Sequence, residues 1–412
     1  MAQKIHQHWN QMNPFISLCM IVKNEERFLG QCLKSVRRVV NEMIVVDTGS
    51  TDNTMKIAQE YGARVYQHPW EGDFSKARNL SLKYATGDWI FILDADEELA
   101  QEDIPIVTRC IRKTDVDAYL FSNINFTPNG TCHHRNIRLF RKGKVHYRGI
   151  VHNNPVLDGV ASVAPIRIYH HGYNLSPEEM TRKYKRSEAL LLKQVKAEPQ
   201  NTYARANLVR NYRLQRDYQK VIAEAEKALV SDNINLFDKQ MILNDLAYAR
   251  FITGDLKKAK QASLEGLAGN PCHLDFLFIL GGVMVKMKKH RQAIEYFNKY
   301  LEMRGSGEET PGLEGLLIDT YGYQGKAWNN IGNSYRELGN PDAAIKAFER
   351  ALEIDGQEPI YFKNLAGLYL QKGLIKLAFK VLKKAMESGI ADDSIKKTFA
   401  RMEMMSACEI AT

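Results

Sequence analysis

Two domains of different class are expected: an α/β domain built on a mostly parallel sheet, then an all-α repeat solenoid. Three observations predict this. Short apolar runs alternate with segments of helical period over residues 15–173, the pattern of βαβ units. From residue 176 onward the strand signals stop and only helical periodicity remains. Within that second part, residue types recur 34 positions apart, the mark of a stacked repeat. The expected division is 1–14 as an N-terminal extension, 15–173 as the α/β domain, 174–201 as a helical connector, 202–389 as the repeats and 390–412 as a C-terminal helix or tail.

The composition bounds the class. A chain of 412 residues, 44% hydrophobic and 25% charged, can bury a core in each of two or three domains. No apolar run reaches the roughly 18–20 residues of a membrane span, and residues 1–13 lack the apolar stretch of a secretory signal. Six cysteines without a Cys-x-x-Cys pair argue against structural zinc and against a disulfide framework, so a reducing cytoplasm is expected. The formal net charge of +9 is locally dense at 135–148 and 182–186. No nucleic-acid module accompanies it, so a phosphate-bearing ligand is the smaller assumption; a solvated helix face is the other reading of 182–186.

Taken in order, 15–22 reads as a buried strand, 27–40 as a helix through Phe28, Leu29, Leu33 and Val36, and 43–46 as a second strand. The polar turn Asp47-Thr48-Gly49-Ser50-Thr51-Asp52 leads into a helix over 54–61, then a strand at 63–66 and a helix ending near Ala85. The run 88–93 is a buried strand that ends at Asp94-Ala95-Asp96, an Asp-x-Asp (DxD) motif. Ligands in open α/β sheets sit beyond such carboxyl ends. Two carboxylates one residue apart suit a hard divalent cation, Mg²⁺ or Mn²⁺, holding a diphosphate. Asp47, Arg78, Asp94 and Asp96 all fall at strand ends or helix starts on that one rim. For Asp47, a helix cap is the competing reading.

Four ordered stretches carry a resemblance: Ser17-Leu18-Cys19-Met20-Ile21-Val22-Lys23-Asn24-Glu25, Val45-Val46-Asp47-Thr48-Gly49-Ser50-Thr51-Asp52, Asp73-Phe74-Ser75-Lys76-Ala77-Arg78-Asn79 and Asp94-Ala95-Asp96-Glu97. The chain over 15–175 thus resembles the family 2 glycosyltransferases, which implies a Rossmann-like GT-A fold, an inverting mechanism, a nucleotide-sugar donor and a divalent metal. The resemblance would set Asn24, Glu25, Asp47, Arg78, Asp94 and Asp96 around the donor, with Asp96 catalytic through the metal. Where many relatives carry two acidic residues this chain has Asp47-Thr48, which bears on whether a UDP-sugar is the donor.

Over 138–173 the resemblance extends to members that glycosylate a peptide cysteine and to members that build lipopolysaccharide core. Their Val-His-Glu pattern supplies a carboxylate suited to general base work; here Asn153 stands in that place. An amide accepts no proton at neutral pH. His152 or Asp158 is then the nearest base, or the acceptor is a thiol, or the domain only binds nucleotide sugar. His170 matches a position that completes the metal or diphosphate shell, with a packed histidine as the alternative. His133-His134 reads as loop.

Ser176-Pro177-Glu178-Glu179 is a helix start. Beyond it, Trp328, Gly332, Tyr335, Ala344, Phe348 and Ala351 recur as Phe362, Ala366, Tyr369, Ala378, Leu382 and Ala385. This resembles the tetratricopeptide repeat, with candidates at 202–232, 239–271, 273–303, 325–355 and 359–389 and an insertion near 304–325. Such arrays present a groove to polypeptide. The expected function is transfer of a sugar from a nucleotide diphosphate to a protein or peptide acceptor; a lipopolysaccharide or other glycan acceptor, or a non-catalytic scaffold, is the alternative. No nucleic acid and no transmembrane segment are expected, and homodimerisation through the helices is left open.

Overall fold

The computed structural model describes residues 14–127, 130–151, 153–172, 176–307, 313 and 316–410. They sort into two compact units. One ends at Asp245 and takes in the segment closing at Asp319; the other starts at Leu246 and resumes at Thr320.

The first unit opens with β1 (Ile16–Val22), α1 (Leu29–Val36), β2 (Glu42–Asp47), α2 (Thr54–Glu60), β3 (Arg64–Gln67), α3 (Phe74–Tyr84) and β4 (Trp89–Ile92). β1 pairs in parallel with β2 on one side and with β4 on the other. Both faces of this sheet are covered, which is why its strands read as unbroken apolar runs. Leu18, Met20, Val45 and Phe91 pack against Leu29, Leu33 and Val36 on one face. Cys19, Ile44, Ile90 and Ile92 pack with Phe140 and Tyr147 on the other.

Next come β5 (Glu97–Leu99), α4 (Ile104–Cys110), β6 (Ala118–Thr127), β7 (Gly130–Arg141), β8 (Val145–Arg148), β9 (Asn154–Leu157) and β10 (Ala161–His170). The large sheet runs β3-β2-β1-β4-β7-β6-β10-β5, and β8 pairs with β9 as a separate ribbon. β7 is antiparallel to both of its neighbours, β4 and β6. His133 and His134 therefore lie in a strand, not in the expected loop. β6 is a strand that the reading of apolar runs does not show.

Three helices complete this unit's ordered run before the division: α5 (Pro177–Ala197), α6 (Thr202–Leu214) and α7 (Tyr218–Leu229), while α8 (Leu236–Thr253) straddles it. The expected start of α5 is a capping box, Ser176 Oγ accepting from Glu179 N and Glu179 Oε2 accepting from Ser176 N. The repeat insertion also reaches this unit. Ile318 and His133 of β7 exchange backbone hydrogen bonds of 2.8 and 3.2 Å. Asp319 sits between Arg210 and Arg213 of α6, which Asp245 bridges from the other side.

The second unit contains α9 (Leu256–Gly269), α10 (Leu274–Lys286), α11 (His290–Ser306), α12 (Gln324–Glu337), α13 (Pro341–Ile354), α14 (Pro359–Gln371), α15 (Ile375–Glu387) and α16 (Asp393–Ile410). Its helices pack in sequential pairs because small residues sit at the crossings. A Cβ on Gly281 would lie 2.6 Å from the Phe297 ring, and one on Gly332 would lie 2.5 Å from Phe348. Among the described residues no helix is long and apolar enough to cross a membrane.

Candidate active site

The order β3-β2-β1-β4 makes β1/β4 a topological switch point, since the chain leaves β1 toward β2 and later returns to its other side. Ligands bind beyond the carboxyl ends of strands at such a point. Asn24, just past β1, has a φ of 56°, the left-handed region that Asn tolerates. Its Oδ1 accepts from Thr51 N at 2.8 Å and its own N donates to Ser50 Oγ at 3.0 Å. The turn after β2 is thereby fastened to the end of β1.

Asp47 is buried at the end of β2, in register with Val22. Its Oδ1 accepts from Gly49 N at 2.9 Å and Ser50 N at 3.0 Å. It holds its own turn and does not cap α2, whose N-cap, Asn53, makes no side-chain cap bond; Asp52 Oδ1 accepts from Thr54 N at 3.0 Å in the turn before the helix. Asp47 Oδ2 is buried without a hydrogen-bond partner among the described residues. So are Nε and Nη1 of Arg78, whose remaining Nη2 donates to Asp94 Oδ1 at 2.7 Å. Buried polar atoms left unmatched are costly, and these belong to two residues at the carboxyl-end rim of the sheet.

The Asp94-Asp96 turn is held from behind by Glu97, which ends the fourth quoted stretch, and by Asn123 and Arg138, to which that reading gave no role. Glu97 Oε2 accepts from Asp94 N at 2.9 Å, and Glu97 Oε1 accepts from Asn123 Nδ2 at 2.9 Å and from Arg138. Burial works against charge on Asp94, but Arg78 and Arg138 outweigh it and hold its carboxyl well below the usual carboxylate range.

Asp96 meets the histidine expected to share its role. His170 Nε2 lies 3.1 Å from Asp96 Oδ2, and His170 Nδ1 lies 2.8 Å from Asn125 Oδ1. Asn125 Nδ2 in turn lies 3.1 Å from His134 Nδ1. Strand register builds this line, because His170 of β10 pairs with Glu97 of β5 on one side and Asn125 of β6 on the other. Gly172 closes it: a Cβ there would lie 1.7 Å from Asp96 Oδ2 and 2.9 Å from His170 Nε2. Burial would lower the His170 pKa, yet the Asp96 carboxylate overcomes this and raises it. Glu25, half-buried nearby, is pushed up to about 7 by burial and by Asp96 and Asp94.

These residues fit a divalent cation. Among the described residues there is no group of three His, Cys, Asp or Glu ligands, but Mg²⁺ and Mn²⁺ commonly take one or two protein ligands and fill up with water and phosphate oxygens. Asp96 Oδ2 offers a hard oxygen and His170 Nε2 an imidazole nitrogen whose partner nitrogen is already bonded, and a side chain at Gly172 would collide with both.

The expected bases fare differently. His152 lies outside the described residues. Asp158 is exposed, its N bonded to Lys144 O. Lys144 N bonds Arg141, which pairs with Trp89 at the start of β4. Asp158 thus lies at the opposite strand end from Asp94, roughly 15 Å away at about 3.3 Å per residue, and is not brought to the rim. Asn153 is half-buried and its Nδ2 has no partner among the described residues.

Residues 17–169 match the family described as glycosyl transferase family 2, and residues 325–357 match the tetratricopeptide repeat. The chain is 32% identical over 198 residues to the SPbeta prophage-derived glycosyltransferase SunS of Bacillus subtilis, covering 46% of this chain and 47% of that one. It is 32% identical over 149 residues to the lipopolysaccharide core biosynthesis glycosyltransferase LpsC of Rhizobium meliloti, covering 32% of this chain and 53% of the relative. A TPR repeat-containing protein of Synechococcus elongatus is 55% identical over 87 residues, 21% of this chain and 22% of its own length. The matches thus span about half or less of each relative.

Proposed function

We propose that this chain, which carries a family 2 glycosyltransferase domain and tetratricopeptide repeats, is an inverting, metal-dependent glycosyltransferase with a nucleotide-sugar donor and a protein or peptide acceptor. The observation that carries this reading is the convergence of Asp47, Arg78, Asp94, Asp96 and His170 on the β1/β4 rim, with unmatched atoms on Asp47 and Arg78.

In this reading the Asp47 turn receives the nucleoside. Arg78, fixed by Asp94 and lying with its guanidinium carbon 5.3 Å from the Tyr147 ring centre, offers Nε and Nη1 to the diphosphate. Asp96 and His170 would hold Mg²⁺ or Mn²⁺, which supplies positive charge opposite the departing diphosphate. The acceptor attacks the anomeric carbon from the face opposite the diphosphate. Asn153 takes no proton, so the acceptor's proton goes to His152 or is already absent, as in a thiolate formed from a thiol of pKa about 8.5. The repeats are the surface suited to an extended polypeptide. The likeness to LpsC favours a second reading, with a glycan acceptor and the same donor site.

Calorimetric titration of the full chain with UDP, GDP and UDP-sugars, with and without Mn²⁺, tests the donor site. The expected result is Mn²⁺-dependent binding of one nucleotide class, weakened at least tenfold in Asp96→Ala. No nucleotide binding by the wild type sinks the proposal.

A further inference from the structure

The turn between α14 and α15 sets apolar side chains in water. Residues 370–377 are all exposed, and Leu370, Leu374, Ile375 and Leu377 show 36, 39, 55 and 43% of their surface. Two earlier helices of the second unit open on a polar cap instead: Asp255 accepts from Lys258 N before α9, and Asn340 accepts from Ala343 N before α13. Leu374 stands 34 positions after Asn340 and makes no such bond before α15. An exposed leucine thus replaces a cap that ordinarily stabilises a helix start.

The apolar turn lies in a basic setting. From Pro359 to Met386 the chain holds six lysines, Lys363, Lys372, Lys376, Lys380, Lys383 and Lys384, and no Asp or Glu. Lys363, Lys372 and Lys383 meet the carboxylates of Asp392, Asp342 and Glu387. Lys376, Lys380 and Lys384 are exposed, and none of them pairs with a carboxylate among the described residues. Spaced four apart, they line one face of α15 over about 12 Å. Leu377, three positions before Lys380, joins the apolar turn to that stripe. The opposite face of α15, with Ala378, Leu382 and Ala385, is spent in the core.

We propose that this turn and the lysine face of α15 form a docking surface for an anionic lipid bilayer. Lysines near such a surface are attracted to its headgroups, and aliphatic side chains gain by leaving water for the headgroup boundary. The same combination tells against other occupants. A second copy meeting this face symmetrically would set lysine against lysine. An acidic polypeptide would use the lysines but gives the four exposed aliphatic side chains nothing to enter. The inference is independent of the glycosyltransferase reading.

The test is co-sedimentation of the full chain with vesicles of phosphatidylcholine alone or of phosphatidylcholine and phosphatidylglycerol in equal parts. Three variants are compared with wild type: Lys376→Glu/Lys380→Glu/Lys384→Glu, Leu374→Ser/Ile375→Ser, and Lys34→Glu/Lys56→Glu/Lys83→Glu. The third makes the same change of net charge at exposed positions of the first unit. Wild type should bind the anionic vesicles, bind the neutral ones at least tenfold more weakly, and lose binding as salt is raised. The lysine reversal and the Leu374→Ser/Ile375→Ser variant should each weaken anionic binding about tenfold or more, while the first-unit reversal keeps it. Melting temperatures report folding, and Leu374→Ser supplies a capping side chain, so a loss of binding there is not a loss of fold. No binding to anionic vesicles overturns the inference, as does equal binding to both vesicles or an equal loss in the first-unit reversal. Binding that needs the lysines but is untouched by Leu374→Ser/Ile375→Ser also overturns it, and leaves an acidic polypeptide as the partner that fits.

Discussion

The amide of Asn125 faces two imidazoles at once, and one arrangement of protons satisfies both. Burial, reinforced by the charge of Arg138, pushes His134 down to about 3, so its ring is neutral at ordinary pH. Its Nδ1 then accepts from Asn125 Nδ2, which turns Asn125 Oδ1 toward His170 Nδ1 as an acceptor. A proton held on Nδ1 leaves His170 Nε2 to face Asp96 and a cation. Asn125→Ala removes this acceptor, and the ring of His170 loses its fixed setting. We expect Mn²⁺ affinity, followed by electron paramagnetic resonance of free Mn²⁺, to fall about 10- to 100-fold. A variant that takes up Mn²⁺ like the wild type would show that His170 needs no such support.

The segment that ends at Asp319 is the element whose role was least visible in the sequence. It looked like a polar insertion between repeats, yet Asp319 pairs with both Arg210 and Arg213. Burial opposes its charge, but the two guanidinium groups hold its carboxyl well below the usual range. A depressed carboxylate stabilises the fold above its unfolded pKa of about 3.9 and loses that contribution as pH falls further, toward the folded value. Asp319→Asn should therefore lower the melting temperature at pH 7 and narrow the gap to wild type below about pH 4. Removing one partner of a buried ion pair costs about 3–5 kcal/mol, and equal melting curves at pH 7 would deny the pair its role. The contrast with β1 to β4 shows what was legible. Those strands announce themselves because each carries its own apolar run and its own polar turn. β6 does not: Tyr119 and Phe121 begin its buried face, but Asn123 and Asn125 continue that face into the site. Polar residues there break the pattern that marks a strand, and their partners Glu97 and His170 lie far away in sequence. Asp319 is hidden for the same reason, since its meaning depends on Arg210 more than a hundred positions earlier.

At the scale of the whole chain, periodicity and packing suggest different cuts. The repeat pattern begins at 202, but α6 and α7 belong with the first unit, and the chain returns to that unit for the segment closing at Asp319. The reason is visible on α5. Asn211 Nδ2 donates to Tyr184 O at 3.2 Å, Gln215 Nε2 donates to Glu188 Oε2 at 2.8 Å, and Leu191 is fully buried. A fragment of 1–201 strips α6 from α5 and exposes an apolar face that water then has to cover. A fragment of 1–245 keeps that contact but lacks Asp319, leaving Arg210 and Arg213 with Asp245 as their shared carboxylate partner. Thermal stability of the α/β domain should therefore fall in the order full chain, 1–245, 1–201. Supplying α6 and α7 should recover more than supplying the rest, because it restores a packed helix face as well as hydrogen bonds. Calorimetric melting of the three chains checks the order. If 1–201 melts at the temperature of the α/β transition in the full chain, α6 contributes nothing to the first unit, and the boundary read from the repeats is the physical one.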